Sequence, residues 1–267
     1  MLRKFEPSDK KNKMESETDL TAAREYFLGG GKENRVLYHL VKGRYSWMNR
    51  YIARTDKEIY ELGCGTGISR EFIHNKNLKL TDVVANKWLD RTLDALSLDM
   101  EDESVDVFIL CNVLHHFAYP LTFMKNAAGK LRKGGRILLF EPYTSLALKI
   151  PQKLLGLEGW DDDTDVFNES VPCCDPLKPW SANNSIPKIM FFEKAEYFEK
   201  CVHELRILKK GFCECLMFLN SGGVNYHTFH LPAGDRCCKF LKKADKVLVK
   251  AAPQVFAMGC KAVIEKK

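Results

Sequence analysis

A glycine-rich stretch between Glu61 and Gly67 contains the residue types that most directly suggest chemistry. It has the sequence ELGCGTG. Glycine lets a backbone turn sharply and lets a ligand approach closely, because it has no Cβ atom. The carboxylate of Glu61 suits a ligand with a positively charged group, whereas a pyrophosphate would favour the opposite charge. By itself the pattern is equally compatible with a dinucleotide site or a tight structural turn.

Two aspartates follow at positions suited to a nucleoside. Asp82 lies where a second strand should end, and a carboxylate there can accept hydrogen bonds from both hydroxyls of a ribose. Asp94, followed by Ala95, begins a segment that leads into a buried strand, and its carboxylate can accept from an adenine amino group. Either aspartate could instead cap a turn or lie on the surface.

His115 and His116 are the candidates for acid–base catalysis. They follow an apolar run that ends at Cys111, and histidine titrates near neutral pH, as a general base must. We favour His116 as the base, with His115 second; alternatively, the pair only shapes a loop. Further candidates are Glu141, Tyr226, His227 and His230.

Apolar runs of strand length alternate with helical patterns, and these elements must position the candidate residues. The alternation predicts βαβ units, a parallel sheet with right-handed crossovers and therefore an α/β fold. Strands are predicted at residues 58–62, 78–82, 105–111 and 136–140, and helices at residues 66–75 and 120–131.

The remaining segments are predicted to surround this region within a single domain, residues 20–267. Proline is frequent in residues 143–187, which we expect to form an irregular lid or acceptor-binding insertion. The other predicted parts are a flexible arm at 1–19, a helical cover at 20–55, late strands at 213–219 and 256–265, and a basic helix within 232–251.

Four motifs, in matching order and spacing, resemble those of the class I S-adenosylmethionine (SAM)-dependent methyltransferases of the small-molecule type. Residues 61–67 resemble the family's SAM-binding loop, and residues 94–106 are similar to its DAxxLPFxDxSFD passage. Residues 111–117, CNVLHHF, resemble the motif after its fourth strand, and residues 129–142 resemble its LKPGG turn and fifth strand. The resemblance covers about residues 58–142.

The resemblance implies a Rossmann-like, mostly parallel sheet of seven strands, with an antiparallel last strand and helices on both faces. The two late strands would be its sixth and seventh. SAM would be the cofactor, bound across the carboxyl ends of the parallel strands. The residues that the resemblance assigns to cofactor binding are Glu61, Gly63, Cys64, Gly65, Gly67, Asp82, Asp94, Ala95, Cys111 and Asn112.

Composition and charge limit the alternatives. The chain has 267 residues, a net charge of +6 and ten cysteines. No cysteine pair has the C-x-x-C spacing of a structural zinc site, so we expect no metal and mostly inert thiols. The sequence has no apolar signal core and no apolar run of about 18 residues, so we expect a cytoplasmic protein without a transmembrane segment. Basic residues in 235–267 leave peripheral membrane contact open.

The favoured function is transfer of the SAM methyl group to a small-molecule, glycan or lipid-linked acceptor, with oxygen as the favoured atom. Residues 178–187 and 221–223 are faintly similar to methyltransferases found with bacterial surface-polysaccharide enzymes. The NVLH sequence at 112–115 argues against methylation of DNA bases, so no DNA partner is expected. A protein or tRNA acceptor and a non-catalytic SAM-binding module for regulation or assembly remain alternatives. The loop lacks G-x-G-x-x-G spacing, which disfavours a nicotinamide-dependent enzyme.

Overall fold

A seven-stranded sheet forms the centre of the fold in the computed structural model, which describes residues 3–7, 17–31, 34–223 and 229–267. The strand order is β4-β3-β2-β5-β6-β9-β8, and β9 runs antiparallel to both of its neighbours. Two further strands, β1 and β7, form a separate antiparallel pair. The strands are β1 Lys4–Phe5, β2 Ile59–Leu62, β3 Leu78–Asp82, β4 Arg91–Thr92, β5 Val105–Cys111, β6 Leu131–Pro142, β7 Trp160–Asp161, β8 Leu205–Cys213 and β9 Gly259–Lys266.

Helices cover both faces of the sheet. They are α1 Glu17–Tyr26, α2 Arg35–Met48, α3 Pro120–Lys130, α4 Leu146–Leu155, α5 Ile186–Lys188, α6 Ala195–Cys201, α7 Leu216–Leu219, α8 Asp235–Ala251 and α9 Pro253–Phe256. Alternate residues of β5 point to opposite faces, so Phe108 packs in one core with α3 while Val107 packs in another with α2. Burial on both faces explains the continuous apolar run from Val107 to Cys111 in β5. The predicted α/β, Rossmann-like fold class is confirmed.

The predicted helix at 66–75 is wrong for most of its length. Only Ile68–Glu71 is helical, as a short 3₁₀ helix. The side chain of Asn49 explains the early end, because its Nδ2 donates to the Phe72 carbonyl at 2.8 Å and its Oδ1 accepts from the His74 N–H at 3.1 Å. These two backbone groups are therefore bound by a side chain and not by a helical turn.

The predicted sixth strand at 213–219 is also wrong. The strand is β8, which ends at Cys213, and the next residue, Glu214, has a left-handed backbone with φ of 58°. The carboxylate of Asp245 then accepts from the backbone N–H groups of Cys215, Leu216 and Met217 at 3.2, 2.7 and 3.3 Å. These bonds satisfy the first free N–H groups of α7, so the apolar run forms a helical turn.

Residues 143–187 contain more regular structure than the prolines suggest. They include α4, with Pro151 inside the helix, and β7. Asp162 binds this insertion together, since Lys149 contacts it, Ser185 Oγ donates to it at 2.7 Å and Lys188 lies 3.2 Å away. The insertion is therefore a packed part of the domain.

The described part of the predicted flexible arm is paired with this insertion. Lys4–Phe5 form β1, which pairs with Trp160–Asp161, and the rings of Phe5 and Trp160 lie 4.9 Å apart. An aromatic pair and a two-residue ladder account for this order. Residues 1–2 and 8–16 of the arm lie outside the described residues.

The cysteines, all within the described residues, are free thiols, and Cys237 alone is exposed. Burial raises the pKa of the thiols of Cys64, Cys111 and Cys173. They are therefore protonated and unreactive at neutral pH, as expected from the sequence. Among the described helices, none combines the length and hydropathy needed to cross a membrane.

Candidate functional site

One cavity of about 470 Å³ lies at the carboxyl ends of the central parallel strands. The loop after β2, the ends of β3, β5 and β6, and helices α2 and α4 all contribute to its wall. Most of the predicted site residues line it: Gly63, Cys64, Gly65, Asp82, Asp94, Ala95, Cys111, Asn112, His115 and His116. Residues from all four sequence motifs therefore line a single cavity.

The glycines of the loop have different roles. All three have positive φ, at 62° for Gly63, 50° for Gly65 and 62° for Gly67. A Cβ at Gly63 would lie 2.1 Å from Val113 Cγ2, and one at Gly67 would lie 2.4 Å from Trp88 Cδ1. A Cβ at Gly65 would meet only Leu20 Cδ2, at 3.9 Å. Gly65 thus faces open cavity space, which fits the close approach of a ligand to this backbone.

Glu61 and Gly67, both predicted to bind the cofactor, are not among the residues that line the cavity. Glu61 is 1 % exposed, receives a hydrogen bond from Tyr45 OH at 3.1 Å and another from Ser69 Oγ. Burial raises its pKa to about 7, although the two donors oppose this shift. In this conformation Glu61 fixes α2 and the 3₁₀ turn around the loop, and does not contact the cavity.

Asp82 and Asp94 lie on the cavity wall, and the carboxylate of each also accepts hydrogen bonds from backbone N–H groups. Asp82 accepts from the N–H groups of Gly65 at 2.8 Å and Val84 at 3.1 Å, and burial raises its pKa. Asp94 caps the short helix Ala95–Ser97 by accepting from the Leu96 N–H at 2.8 Å, and it is exposed. Each carboxylate has further acceptor capacity for a ligand hydroxyl or amino group.

Asn112 and Cys111 form the floor of the cavity beyond β5. Asn112 has a left-handed backbone with φ of 58°, and its N–H donates to the Phe140 carbonyl at 2.7 Å. Such a backbone is uncommon outside glycine and turns the chain sharply after the strand. Burial raises the pKa of Cys111 to about 12, so it is a neutral thiol in the wall.

Helix α1 closes the cavity above the glycine loop. Leu20 from this helix lines the cavity, and Arg24 donates to the Thr66 carbonyl at 2.6 Å. The Arg24 guanidinium also lies 5.0 Å from the centre of the Trp88 ring, while Trp88 Nε1 donates to the Gly65 carbonyl at 2.8 Å. The loop is thus held from both sides, by α1 and by Trp88.

His115 and His116 lie side by side at the other end of the cavity, with ring centres 4.1 Å apart. His115 Nδ1 lies 2.7 Å from Glu141 Oε2, and Glu141 Oε1 accepts from the N–H groups of Val113 and Leu114 at 2.9 Å. His116 Nδ1 lies 3.0 Å from the Ser181 carbonyl oxygen. Because both partners are acceptors, each Nδ1 carries the proton and each Nε2 is left free for other contacts.

Glu158 faces both histidines from the insertion. Its Oε2 lies 3.5 Å from His115 Nε2, and its Oε1 lies 3.9 Å from His116 Nε2. Burial favours neutral His115, but Glu158 and Glu141 outweigh it and raise its pKa to about 9. Burial, with the nearby His115, lowers the pKa of His116 to about 4. Without another ligand His115 is therefore protonated at neutral pH, while His116 is neutral.

A buried ion pair forms another part of the wall. Arg44 Nε and Nη2 donate to the two carboxylate oxygens of Glu214 at 2.9 and 2.7 Å. The Arg44 guanidinium also lies 5.0 Å from the centre of the Phe140 ring. Burial opposes the charged form of Arg44, yet Glu214 raises its pKa above the ordinary value. The pair gives the cavity a polar wall without net charge.

Sequence reasoning missed Glu158, Arg44 and Glu214 because each is distant in sequence from the motifs that it meets in space. The one available signal for Glu158 was its residue type, an acid, within an insertion. That insertion was predicted to bind the acceptor. Of the other candidate bases, His230 is not among the cavity-lining residues, and Tyr226 and His227 lie outside the described residues.

Comparisons with known proteins agree with this geometry. Residues 60–139 match the family model described as "Methyltransferase domain". The chain is 32 % identical over 107 residues to the highly reducing polyketide synthase PKS2 of Leptosphaeria maculans, and 34 % identical over 98 residues to the hybrid PKS-NRPS synthetase iliA of a Neonectria species. These matches cover 39 % and 36 % of this chain but only 4 % and 2 % of the two synthases.

The fold is similar to that of a SAM-dependent methyltransferase from Archaeoglobus fulgidus. The TM-score is 0.52 at 15 % identity, and the similarity covers 91 % of this chain and 97 % of the other. At that identity the comparison shows the fold alone. Residues 60–139 thus match a methyltransferase domain, and the fold is that of a SAM-dependent methyltransferase; both findings support SAM as the cofactor.

Proposed function

We propose that this protein transfers the methyl group of SAM to a hydroxyl oxygen of a small-molecule, glycan or lipid-linked acceptor. One observation carries the proposal: a single cavity runs from the glycine loop at Gly65 to the pair His115 and His116. A cofactor held at the first end and an acceptor held at the second would share one cavity. When bound, SAM supplies an electrophilic methyl group.

The residues at the loop end are suited to hold the cofactor. Gly65 has open space where a side chain would otherwise lie, and Asp82 and Asp94 offer carboxylate oxygens to hydroxyl and amino groups. The N-terminal helix α1 excludes water above this end through Leu20. Holding two reactants in near-attack geometry supplies much of the rate of such a displacement.

The residues at the histidine end are suited to an acceptor hydroxyl. His116 is neutral at physiological pH because burial lowers its pKa to about 4, and its Nδ1 proton is engaged by the Ser181 carbonyl. Its Nε2 therefore has a lone pair that can hold a hydroxyl in position. We assign His116 this role, and we assign His115 and Glu141 the support of the loop in which it lies.

The insertion contributes apolar side chains to the acceptor end. Pro151, Leu155 and Leu157 line it, together with Trp180. Helix α4 also exposes Leu146, Ile150 and Leu154 on the outside of the same segment. An apolar wall of this kind favours a small or lipid-linked acceptor over a folded macromolecule.

Isothermal titration with SAM and S-adenosylhomocysteine tests the cofactor part of the proposal. We expect micromolar binding by the wild type and loss of binding in Gly65→Arg, because the new side chain would fill the cavity. The matched control is Gly43→Arg, which places the same side chain on an exposed helical position with no neighbouring atom within 4 Å. Unchanged affinity in Gly65→Arg would refute the assignment of the loop.

Transfer of an isotope-labelled methyl group tests the acceptor part. Labelled SAM would be incubated with the wild-type protein and separate pools of glycans, lipids, tRNA and protein. We expect label in the glycan or lipid pool, with alkali-stable attachment to oxygen. Label in tRNA or protein would replace the proposed acceptor class. Tight SAM binding without transfer to any pool would favour a non-catalytic binding module.

A further inference from the structure

We propose that His115, His116 and Glu158 bind a first-row transition-metal dication inside the cavity. The three side chains offer two imidazole nitrogens and a carboxylate oxygen, and these ligand atoms all lie within 4.8 Å of one another. Two histidines and one carboxylate form a common ligand set for zinc and for non-haem iron. Magnesium and calcium prefer sites made of oxygen ligands alone, so the nitrogens indicate a transition metal.

The hydrogen bonds of the two histidines orient them as metal ligands. His115 Nδ1 points to the Glu141 carboxylate and His116 Nδ1 points to the Ser181 carbonyl, both of which can only accept. Each ring must therefore present Nε2 towards Glu158. Metal-binding histidines in proteins are held in this way, with the second nitrogen donating to a carboxylate or a backbone carbonyl.

His115 Nε2 provides a second, independent observation. The residue is 1 % exposed, yet this nitrogen makes no hydrogen bond within the described part of the chain. A buried polar atom without a partner costs free energy, which a bound ion would recover. Glu158 Oε2 lies 3.5 Å from this nitrogen, a separation close to that between two ligands of one metal ion at about 2.1 Å from each.

The surrounding elements place these ligands with little freedom. Glu141, at the end of β6, fixes the loop of His115 through the N–H groups of Val113 and Leu114. The Asn183 N–H donates to the His115 carbonyl at 2.8 Å, and the Asn184 N–H donates to the carbonyl of Gly159, next to Glu158, at 2.9 Å. The insertion is therefore bonded to both sides of the cluster.

Three protein ligands would leave at least one coordination position open towards the cavity. An acceptor oxygen could occupy it, so that in the metal-bound protein the ion, in place of the His116 Nε2 lone pair, would select and orient the acceptor. This role rests on the proposed function, whereas binding of the ion does not.

Titration of the chelator-treated, reduced full-length protein with Mn²⁺, followed by electron paramagnetic resonance, tests the site. Mn²⁺ prefers hard oxygen ligands and also accepts imidazole nitrogen, so the soft thiols of the free cysteines compete weakly. We expect one bound ion per chain, with affinity reduced about tenfold or more in Glu158→Gln and in His116→Ala. The matched controls, His74→Ala and Glu101→Gln, change exposed residues of the same types and should bind as the wild type does.

Co²⁺ absorption and ligand titration complete the test. We expect visible bands of a nitrogen and oxygen site without thiolate charge transfer; thiolate bands would assign the ion to cysteines and overturn the proposal. Equal Mn²⁺ affinity in all variants, or no Mn²⁺ binding by a folded wild type, would also overturn the proposal.

S-adenosylhomocysteine is titrated in parallel. Binding of S-adenosylhomocysteine without binding of Mn²⁺ would refute only the metal site. Binding of Mn²⁺ without binding of S-adenosylhomocysteine would refute only the proposed function.

Discussion

Glu61 is a buried acid beside the candidate cofactor site, and its ionisation is coupled to folding. Its ordinary pKa is 4.5, and burial raises it to about 7 in the folded protein. Between these values the unfolded chain loses its proton before the folded chain does. The stability contributed by protonated Glu61 is therefore complete below about pH 4.5 and is lost as pH rises to about 7.

We expect Glu61→Gln to be less sensitive to pH than the wild type over this window. The ionisation of Glu61 should cost up to about 3 kcal/mol of unfolding free energy at neutral pH, from 1.36 kcal/mol per pKa unit. Urea unfolding at both ends of the window would measure the difference. As a control, Glu101→Gln removes an exposed acid and should follow the wild-type pH profile. Parallel profiles for wild type and Glu61→Gln would contradict the coupling.

Several residues of the candidate site were predictable because they lie in contiguous motifs. Gly63, Gly65 and Asn112 each occur in such a motif, and all three line the cavity. Glu158 was not predictable in the same way, since its partners His115 and His116 lie more than forty positions earlier in the sequence. Only the folding of the insertion against the sheet brings these side chains together.

Helix α1 packs against the glycine loop. Its Arg24 donates to the Thr66 carbonyl and lies over Trp88, so this contact holds the helix on the loop. We expect Arg24→Ala to release S-adenosylhomocysteine faster, by about fivefold to tenfold, for a lost hydrogen bond of about 1.0–1.4 kcal/mol. Stopped-flow displacement would measure the rate. Arg35→Ala, at an exposed position on α2, is the matched control and should release the ligand at the wild-type rate.

Elements were predictable where one pattern dominated the sequence. The strand Val105–Cys111 is strongly apolar apart from Asp106, and the structure has it with the predicted bounds. The predictions of a helix at 66–75 and a strand at 213–219 were wrong because side chains from distant parts of the chain bind the backbone of these segments. Asn49 ends the first, and Asp245 converts the second into a helical turn.

At the scale of the whole molecule, the N-terminal strand ties the first residues to the insertion. The ring of Phe5 packs on Trp160, two residues after Glu158. We expect Phe5→Ala to lower the unfolding free energy by about 1 kcal/mol, from the lost aromatic pair, and the melting temperature by about 2–4 °C. Arg3→Ala removes only the exposed pair with Asp163 and should leave the melting temperature unchanged. Equal melting temperatures for both variants would show that β1 does not stabilise the insertion.

The class of the sheet was predictable, because the alternation of strands and helices and the four motifs agree on a mostly parallel, seven-stranded sheet with an antiparallel last strand. The pairing of β1 with β7 was not predictable, since each strand has only two residues and too short a pattern. The predicted arm and insertion are thus joined by a contact that neither segment suggests alone.

The exposure of Cys237 gives the molecule a natural attachment point for a spectroscopic reporter. It lies on the exposed side of α8, whereas the thiols of the cavity wall are buried and protonated. A maleimide fluorophore should therefore react there first, without any cysteine being replaced. A dye at this position would follow the basic helix directly, so contact with an anionic surface could be observed in the unaltered chain.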